Sequence, residues 1–305
     1  KTIKLDMPEV EQSYVVEGRI ETGMPPLVIL TETQGYFEDA SAESIFGSFV
    51  HNADVNVIAN GQTFPLIELC SSSIPDSLID LVSGALGIPI EFLGGFDFCV
   101  YTSLDPLAIG QVGVQYDLAI SVGGKQITST TKIPYPVPLD SVWFEAEPNL
   151  DSLGFVWAIL TDPDTLGNNY RWYAKRNNTY KYGPELGQVK DPFHVAPLGS
   201  SVEDKFFNGK TFDFAYSRGE IGNIEGPDDE GPEEGYFKRG DTIEVKFCSV
   251  PREYYLYVRA LENQAASAGS PFASSGNLPN NIKGGLDFFL TDKDIFTASY
   301  LLRRS

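Results

Sequence analysis

Apolar and polar positions alternate with a period of two through most of the chain, the pattern of strands with one buried face. Tyr14, Val16, Gly18 and Ile20 share a face, and Leu27 to Leu30 form the next strand after the Pro25-Pro26 break. Val55, Val57 and Ala59 lead into Asn60-Gly61, a strong two-residue hairpin signal, and Thr63 to Leu69 run back. Tyr116, Leu118, Ile120 and Val122 point inward on the strand from Gly113, which Gly123-Gly124 turn back through Ile127 to Ile133. Pro134-Tyr135-Pro136-Val137-Pro138 then makes a semi-rigid linker. Beyond it the apolar faces are Val142, Phe144 and Ala146; Phe155, Trp157 and Ile159; Tyr170, Trp172 and Ala174; and Phe212, Phe214 and Tyr216. Ile243, Val245 and Phe247 follow, and a last strand spans Ile295 to Leu301.

Two stretches break this rhythm. Between Cys70 and Gly110, Ser73-Ile74-Pro75-Asp76 opens a short helix with Leu78, Ile79, Val82 and Leu86 apolar and Gly87 as its stop. The residues that follow, IPIEFLGGFDFCVYTSLDPLAIG, are unusually apolar for a connection. Either this segment folds against its own domain, or it is a docking surface with Ile88, Ile90, Phe92, Leu93, Phe96 and Phe98 as the contacts. The second break is a helix from Pro251 to about Ala266, with Ser249 able to cap it and proline in its first turn. Tyr254, Tyr257, Val258 and Leu261 fall on one of its faces. This helix is expected to plug the open end of a sandwich, with Cys248 beneath it and the tyrosines in the core. Stacking of those tyrosines on a sugar or peptide is the alternative.

The elements predict an all-β protein. Residues 13–135 form an immunoglobulin-like β-sandwich with a helical, apolar insertion at about 70–110. Residues 139–305 form a second, jelly-roll-like β-sandwich carrying one helix, and residues 1–12 are a polar tether.

At 305 residues the chain is long enough for two cores. Its net charge of −20 argues against nucleic acid or bare anionic lipid as a partner, since phosphate recognition needs clustered Lys and Arg. No apolar run approaches the roughly 20 residues that a membrane-crossing helix needs. Three cysteines make neither a disulfide-rich scaffold nor a zinc site. Cys70 and Cys99 lie in the same insertion, either disulfide-bonded or as two buried thiols.

Candidate chemistry is sparse. Asp162-Pro163-Asp164 with Gly167 imitates a calcium loop, but Leu166 and Tyr173 stand where carboxylates belong, and a β-turn accounts for it. Asp228, Asp229, Glu230, Glu233 and Glu234 form an acidic loop that solvation explains better than metal binding. Arg239-Gly240-Asp241 sits where a turn enters a strand and reads as that turn. His51 and His194 fall in different predicted domains, and neither has a metal partner at ligand spacing. No Gly-x-Ser-x-Gly elbow, phosphate loop or zinc-protease helix is present. No catalytic residue and no cofactor are predicted.

The stretch from Gly240 to Gly285 resembles the carboxy-terminal signature of DUF4249, a family of outer-membrane lipoproteins from Bacteroidetes. The resemblance rests on Gly240-Asp241-Thr242, Tyr255 to Glu262, Pro271-Phe272, Asn277-Leu278-Pro279-Asn280-Asn281-Ile282 and Gly284-Gly285. Val15 to Ile20, Tyr116 to Ile120, Asp140-Ser141-Val142 and Asp204 to Gly209 agree with it. It implies a lipid anchor on a cysteine upstream of Lys1 and a place on the outer-membrane surface. It also implies a β-barrel partner, either a TonB-dependent transporter of the SusC type or outer-membrane assembly or secretion machinery. Asp-Ser or Asp-Thr before an aliphatic residue, at Asp76, Asp140, Asp151, Asp164 and Asp241, looks like the O-glycosylation pattern of exported Bacteroidetes proteins.

Two functions are therefore carried forward. The first is a non-enzymatic lipoprotein that docks on an outer-membrane barrel. The second is a surface glycan-binding or glycan-cleaving protein, supported by Trp143, Trp157 and Trp172, although their place within strands predicts core roles for all three.

Overall fold

The computed structural model describes residues 13–33, 47–74, 98–150, 152–177, 191, 194–219, 235–267, 278–294 and 298–301. The first half supplies β1 (Tyr14–Glu21), β2 (Leu27–Glu32), β3 (Asp54–Ala59), β4 (Gln62–Pro65), β5 (Ile67–Cys70), β6 (Cys99–Thr102), β7 (Gln115–Val122) and β8 (Lys125–Lys132). The second supplies β9 (Leu139–Ala146), β10 (Leu153–Thr161), β11 (Asn169–Arg176), β12 (Ser201–Glu203), β13 (Thr211–Tyr216), β14 (Phe237–Lys238) and β15 (Thr242–Ser249). After β15 come the helix α1 (Arg252–Ser267), β16 (Ile282–Lys283), β17 (Leu286–Asp294) and β18 (Ala298–Leu301). Among the described residues the protein is thus all-β with one α-helix.

The hairpins form where the turn chemistry placed them. Asn60 and Gly61, both at positive φ, join β3 to β4, and Gly123 and Gly124 do the same between β7 and β8. Among the described residues three sheets result. A long sheet runs β12-β11-β15-β17-β1-β2-β6-β5, with β18 also on β15. A five-stranded sheet runs β16-β8-β7-β3-β4, and a four-stranded sheet joins β13-β10-β14 with β9 on β10.

Each smaller sheet packs on one half of the long one. Val16, Ile20, Val28 and Leu30 meet Val57, Leu118, Ile120 and Ile127 in the first core. Tyr170, Trp172, Val245 and Phe247 meet Val156, Ala158 and Leu160 in the second. Fully burying a side chain of this size contributes about 1.5–3 kcal/mol, so both halves have a real core.

The division of the chain differs from the expected one at its end. Residues 282–294, counted above with 139–305, return to the first half. There β16 pairs with β8, and β17 lies parallel to β1 from Val15↔Leu286 to Glu21↔Asp292. The two sandwiches therefore share one continuous sheet. Gly284-Gly285 is where the chain makes that return. Gly284 has φ +87°, and a Cβ there would lie 2.4 Å from the Gln126 carbonyl oxygen.

Three local expectations are corrected. On β10 the core side chains are Val156, Ala158 and Leu160, while Phe155, Trp157 and Ile159 face outward and are half-buried. The apolar character of both faces hid which one is inside. The helix does not plug a sandwich end. Tyr254 and Val258 pack on Cys248 and Val250, with Tyr173 beside them, on the face of β11 and β15 away from Trp172 and Phe247. Leu261, one turn beyond Val258, is 45% exposed because the packed surface ends there. Ile295 lies outside the described residues, and β18 begins at Ala298.

Gly284→Ala should destabilise the protein by about 1–3 kcal/mol through forced backbone strain. Urea unfolding checks this, and an unchanged midpoint would show that the return of β17 does not depend on this approach.

Candidate functional site

Among the described residues, a concentrated set of chemically capable side chains lies at the root of the insertion, where β5 and β6 pair. Their register sets Glu68 opposite Tyr101 and Cys70 opposite Cys99. Glu68 and Cys70 are two residues apart on one strand and so share a face. Cys70 and Cys99 are disulfide-bonded, with Cα atoms 4.1 Å apart. Of the two readings of these cysteines, the bridged one is correct. Closing a loop of this length removes denatured-state entropy worth about 3–4 kcal/mol.

His51 joins the cluster from another direction. Residues 48–50 pair with the far half of β2, where Val50 N donates to Leu30 O (2.9 Å) and Glu32 N donates to Ser48 O (2.9 Å). The chain then turns through Asn52, which adopts the left-handed conformation that asparagine tolerates. This sets His51 Nδ1 2.5 Å from Glu68 Oε1 and Asn52 N 2.8 Å from Glu68 Oε2. Tyr101 Oη donates to Val50 O (2.7 Å), accepts from Ala53 N (3.1 Å) and lies 3.4 Å from Glu68 Oε2. Cys70 Sγ lies 3.6 Å from Glu68 Oε1. In the disulfide it has no proton, so this is a contact and not a hydrogen bond.

Glu68 is the hub. Burial pushes its carboxyl up, but the Asn52 amide, the His51 ring and the Tyr101 hydroxyl together outweigh burial and hold it below its ordinary 4.5. Burial also raises the Tyr101 hydroxyl.

The docking candidates divide. Ile88, Ile90, Phe92, Leu93 and Phe96 lie outside the described residues, as do Asp228, Asp229, Glu230, Glu233 and Glu234. Phe98 is described, and it packs into its own domain. Its ring meets Phe49 edge-on at 5.2 Å, and it sits against Leu27 and Val100 beside Ile29 and Leu69. Cys99 to Thr102 are buried and strand-paired on both sides, to β5 and β2. Cys99 to Thr102 are therefore core and Phe98 is half-buried against them, whereas Leu104 and Leu107, further along the same stretch, are exposed.

Elsewhere, turns account for the motifs. Asp162 is buried and accepts from Tyr170 Oη (2.5 Å) and Gly209 N (3.1 Å), while Asp204 accepts from the backbone of Gly167 and Asn168. These carboxylates hold two loops together, as the turn reading of Asp162 to Gly167 requires. Asp241 is fully buried and accepts from Lys238 N (2.9 Å), so Arg239-Gly240-Asp241 is not an exposed adhesion motif. His194 lies 3.6 Å from Glu244, and burial lowers its pKa.

The tryptophans separate as well. Trp172 is fully buried in the second core. Trp143 and Trp157 are instead half-buried on the outer face of β9 and β10, stacked at 6.1 Å.

The profile of DUF4249, described as a domain of unknown function, matches residues 1–291. The chain belongs to the DUF4249 family. The match runs through both cores and through the returning strand β17 almost to its end, so the shared sheet lies within the DUF4249 unit. No curated protein and no solved structure matches the chain.

His51 was missed by the sequence reading because it lies 17 residues from Glu68, with a hairpin between. The one available signal was the Glu68-x-Cys70 spacing on a predicted strand.

The Glu68 network should add about 1–2 kcal/mol of stability at neutral pH. Because its folded pKa is depressed, that contribution is present above about pH 4.5 and is lost as pH falls through the lowered value. Urea unfolding of the wild type and Glu68→Gln should differ at pH 7 and converge in acid. A gap that grows in acid would contradict this assignment.

Proposed function

We propose that this protein is a non-enzymatic docking protein of the bacterial outer membrane, held by a lipid anchor upstream of Lys1. Its partner is an outer-membrane β-barrel, either a TonB-dependent transporter or assembly or secretion machinery. The observation that carries this reading is the anchoring of the insertion. Both ends of an apolar segment are tied together by a disulfide and a strand pair, on the rim of a rigid sandwich. Joining the two ends of the insertion in advance removes part of the conformational entropy that would otherwise be lost on binding, which favours recognition. The net charge of −20 keeps the rest of the surface solvated.

The second reading, glycan binding, draws on the stacked Trp143 and Trp157 and on the Phe155–Tyr236 contact at 5.0 Å beside them. Such a half-exposed aromatic face suits the apolar side of a sugar ring.

Purification of the full chain from native membranes in mild detergent should recover a β-barrel protein. The double variant Phe92→Asp, Leu93→Asp should lose that partner while keeping wild-type circular dichroism. Recovery of the wild type alone would overturn the docking reading. A glycan array on which Trp157→Ala abolishes binding would favour the second.

A further inference from the structure

We propose that His51, Glu68, Cys70 and Cys99 form a redox-gated site for a thiophilic divalent cation, zinc being the best match. One potential ligand atom from each of the four residues lies within 4.8 Å of the other three. Two sulfurs, an imidazole nitrogen and a carboxylate oxygen are the number and kind of donors that tetrahedral zinc takes. They come from two strands and a loop of the same rigid sandwich end, so the site needs no hinge to assemble.

The two oxygens of Glu68 already have different tasks. Oε2 is the one held by the Asn52 amide and lies nearest Tyr101 Oη, while Oε1 faces His51 at 2.5 Å and Cys70 Sγ at 3.6 Å. One oxygen is fixed by neighbours and the other points at the remaining donors. This is the arrangement in which outer partners orient a ligating carboxylate. His51 is half-exposed, with 51% of its side chain open, which gives an ion a route from solvent.

The disulfide is the gate. Bonded to each other, the sulfurs are neutral and poor ligands, and His51 spends its Nδ1 on Glu68. A dithiol reductant changes this. It passes two electrons and two protons to the Cys70–Cys99 bond, giving two thiols, and is itself oxidised to a disulfide. Zinc then binds as the two thiols release their protons, so uptake depends on pH as thiolate coordination requires. The metal cross-links the base of the insertion in place of the disulfide. The same two strands stay tied in either redox state, by a covalent bond in one and by coordination in the other. This would hold whatever the insertion docks on, and it is independent of the proposed partner.

The test uses the full chain in a Cys248→Ser background, which removes the third cysteine, buried beneath α1. The protein is reduced with dithiothreitol, desalted under argon and titrated with zinc, alongside an oxidised sample. Reduced protein should bind one equivalent at least 100-fold more tightly than oxidised protein. Cobalt in place of zinc should give a thiolate-to-metal charge-transfer band. His51→Ala and Glu68→Gln should each weaken zinc binding by 10-fold or more in reduced protein that keeps its β-sheet circular dichroism. Equal affinity in the two redox states would overturn the proposal, as would cobalt spectra without thiolate bands. Wild-type affinity in both the His51 and Glu68 variants would also overturn it, since the cysteines alone would then suffice. Should Cys248→Ser fail to fold, the comparison of His51→Ala with wild type, both reduced, decides the question by the same criterion.

Discussion

The parallel pairing of β1 with β17 is the constraint on which the rest of this architecture depends. A strand needs partners for its backbone donors and acceptors on both sides when it lies inside a sheet, and β1 finds them in β2 and β17. Through β17 the ladder continues to β15 and so to the second core. Parallel neighbours require a long crossover, and here it is nearly the whole chain, the remaining strands of the first sandwich and all of the second. Lys246 and Glu21 add an ion pair at 3.2 Å across the same junction, on the face away from both cores, and Glu21 also lies 3.6 Å from Arg19. The two sandwiches are thus one body built on one sheet. Bringing the ends of so long a segment together costs loop entropy, which the burial of two cores offsets.

Rigidity at the base gives the insertion its significance. Its two ends leave and re-enter the long sheet at neighbouring strands and are joined again by the disulfide. Around that bridge, Glu68 collects an imidazole, a backbone amide and a phenol, and these fix the loop from Val50 to Ala53 against β5 and β6. The proposed docking role and the proposed metal-binding role draw on the same property, a set of donors and strand ends held before any partner arrives. The opposite end of the molecule is built differently. Its buried carboxylates, Asp162, Asp204, Asp191 and Asp241, are used up on Tyr170, on turn amides and on Arg176. Those groups stabilise loops and are not available for ligands.

Much of the fold was legible because strand faces are a local property. Tyr14 to Ile20, Val55 to Ala59 and Tyr116 to Ile120 carry most of their apolar residues on one side, with Val15, Ile58 and Ala119 on the other, and each buries the more apolar side. The failure at β10 has the same origin. Phe155, Trp157 and Ile159 are as apolar as Val156, Ala158 and Leu160, so alternation could not tell the faces apart. The opposing strands already fill this core with Tyr170, Trp172 and Phe247, and β10 turns its smaller side chains toward them. In the same way the apolar run from Ile88 to Gly110 read as one surface. Within it Cys99 to Thr102 are instead a core strand, because a strand buried on both faces looks like a docking patch in sequence.

The amino-acid order by itself determined the strands, the Asn60-Gly61 and Gly123-Gly124 turns, the helix after Ser249 and the membership in DUF4249. These depend on side-chain periodicity and turn chemistry within a few residues. Only the tertiary structure decided which strands became neighbours: β17 beside β1, β16 beside β8, and His51 beside Glu68 and the bridged cysteines. Such pairings are chosen by the need to satisfy every buried backbone group while closing two cores at once. That requirement is met over the whole chain and leaves no mark in any short stretch of it.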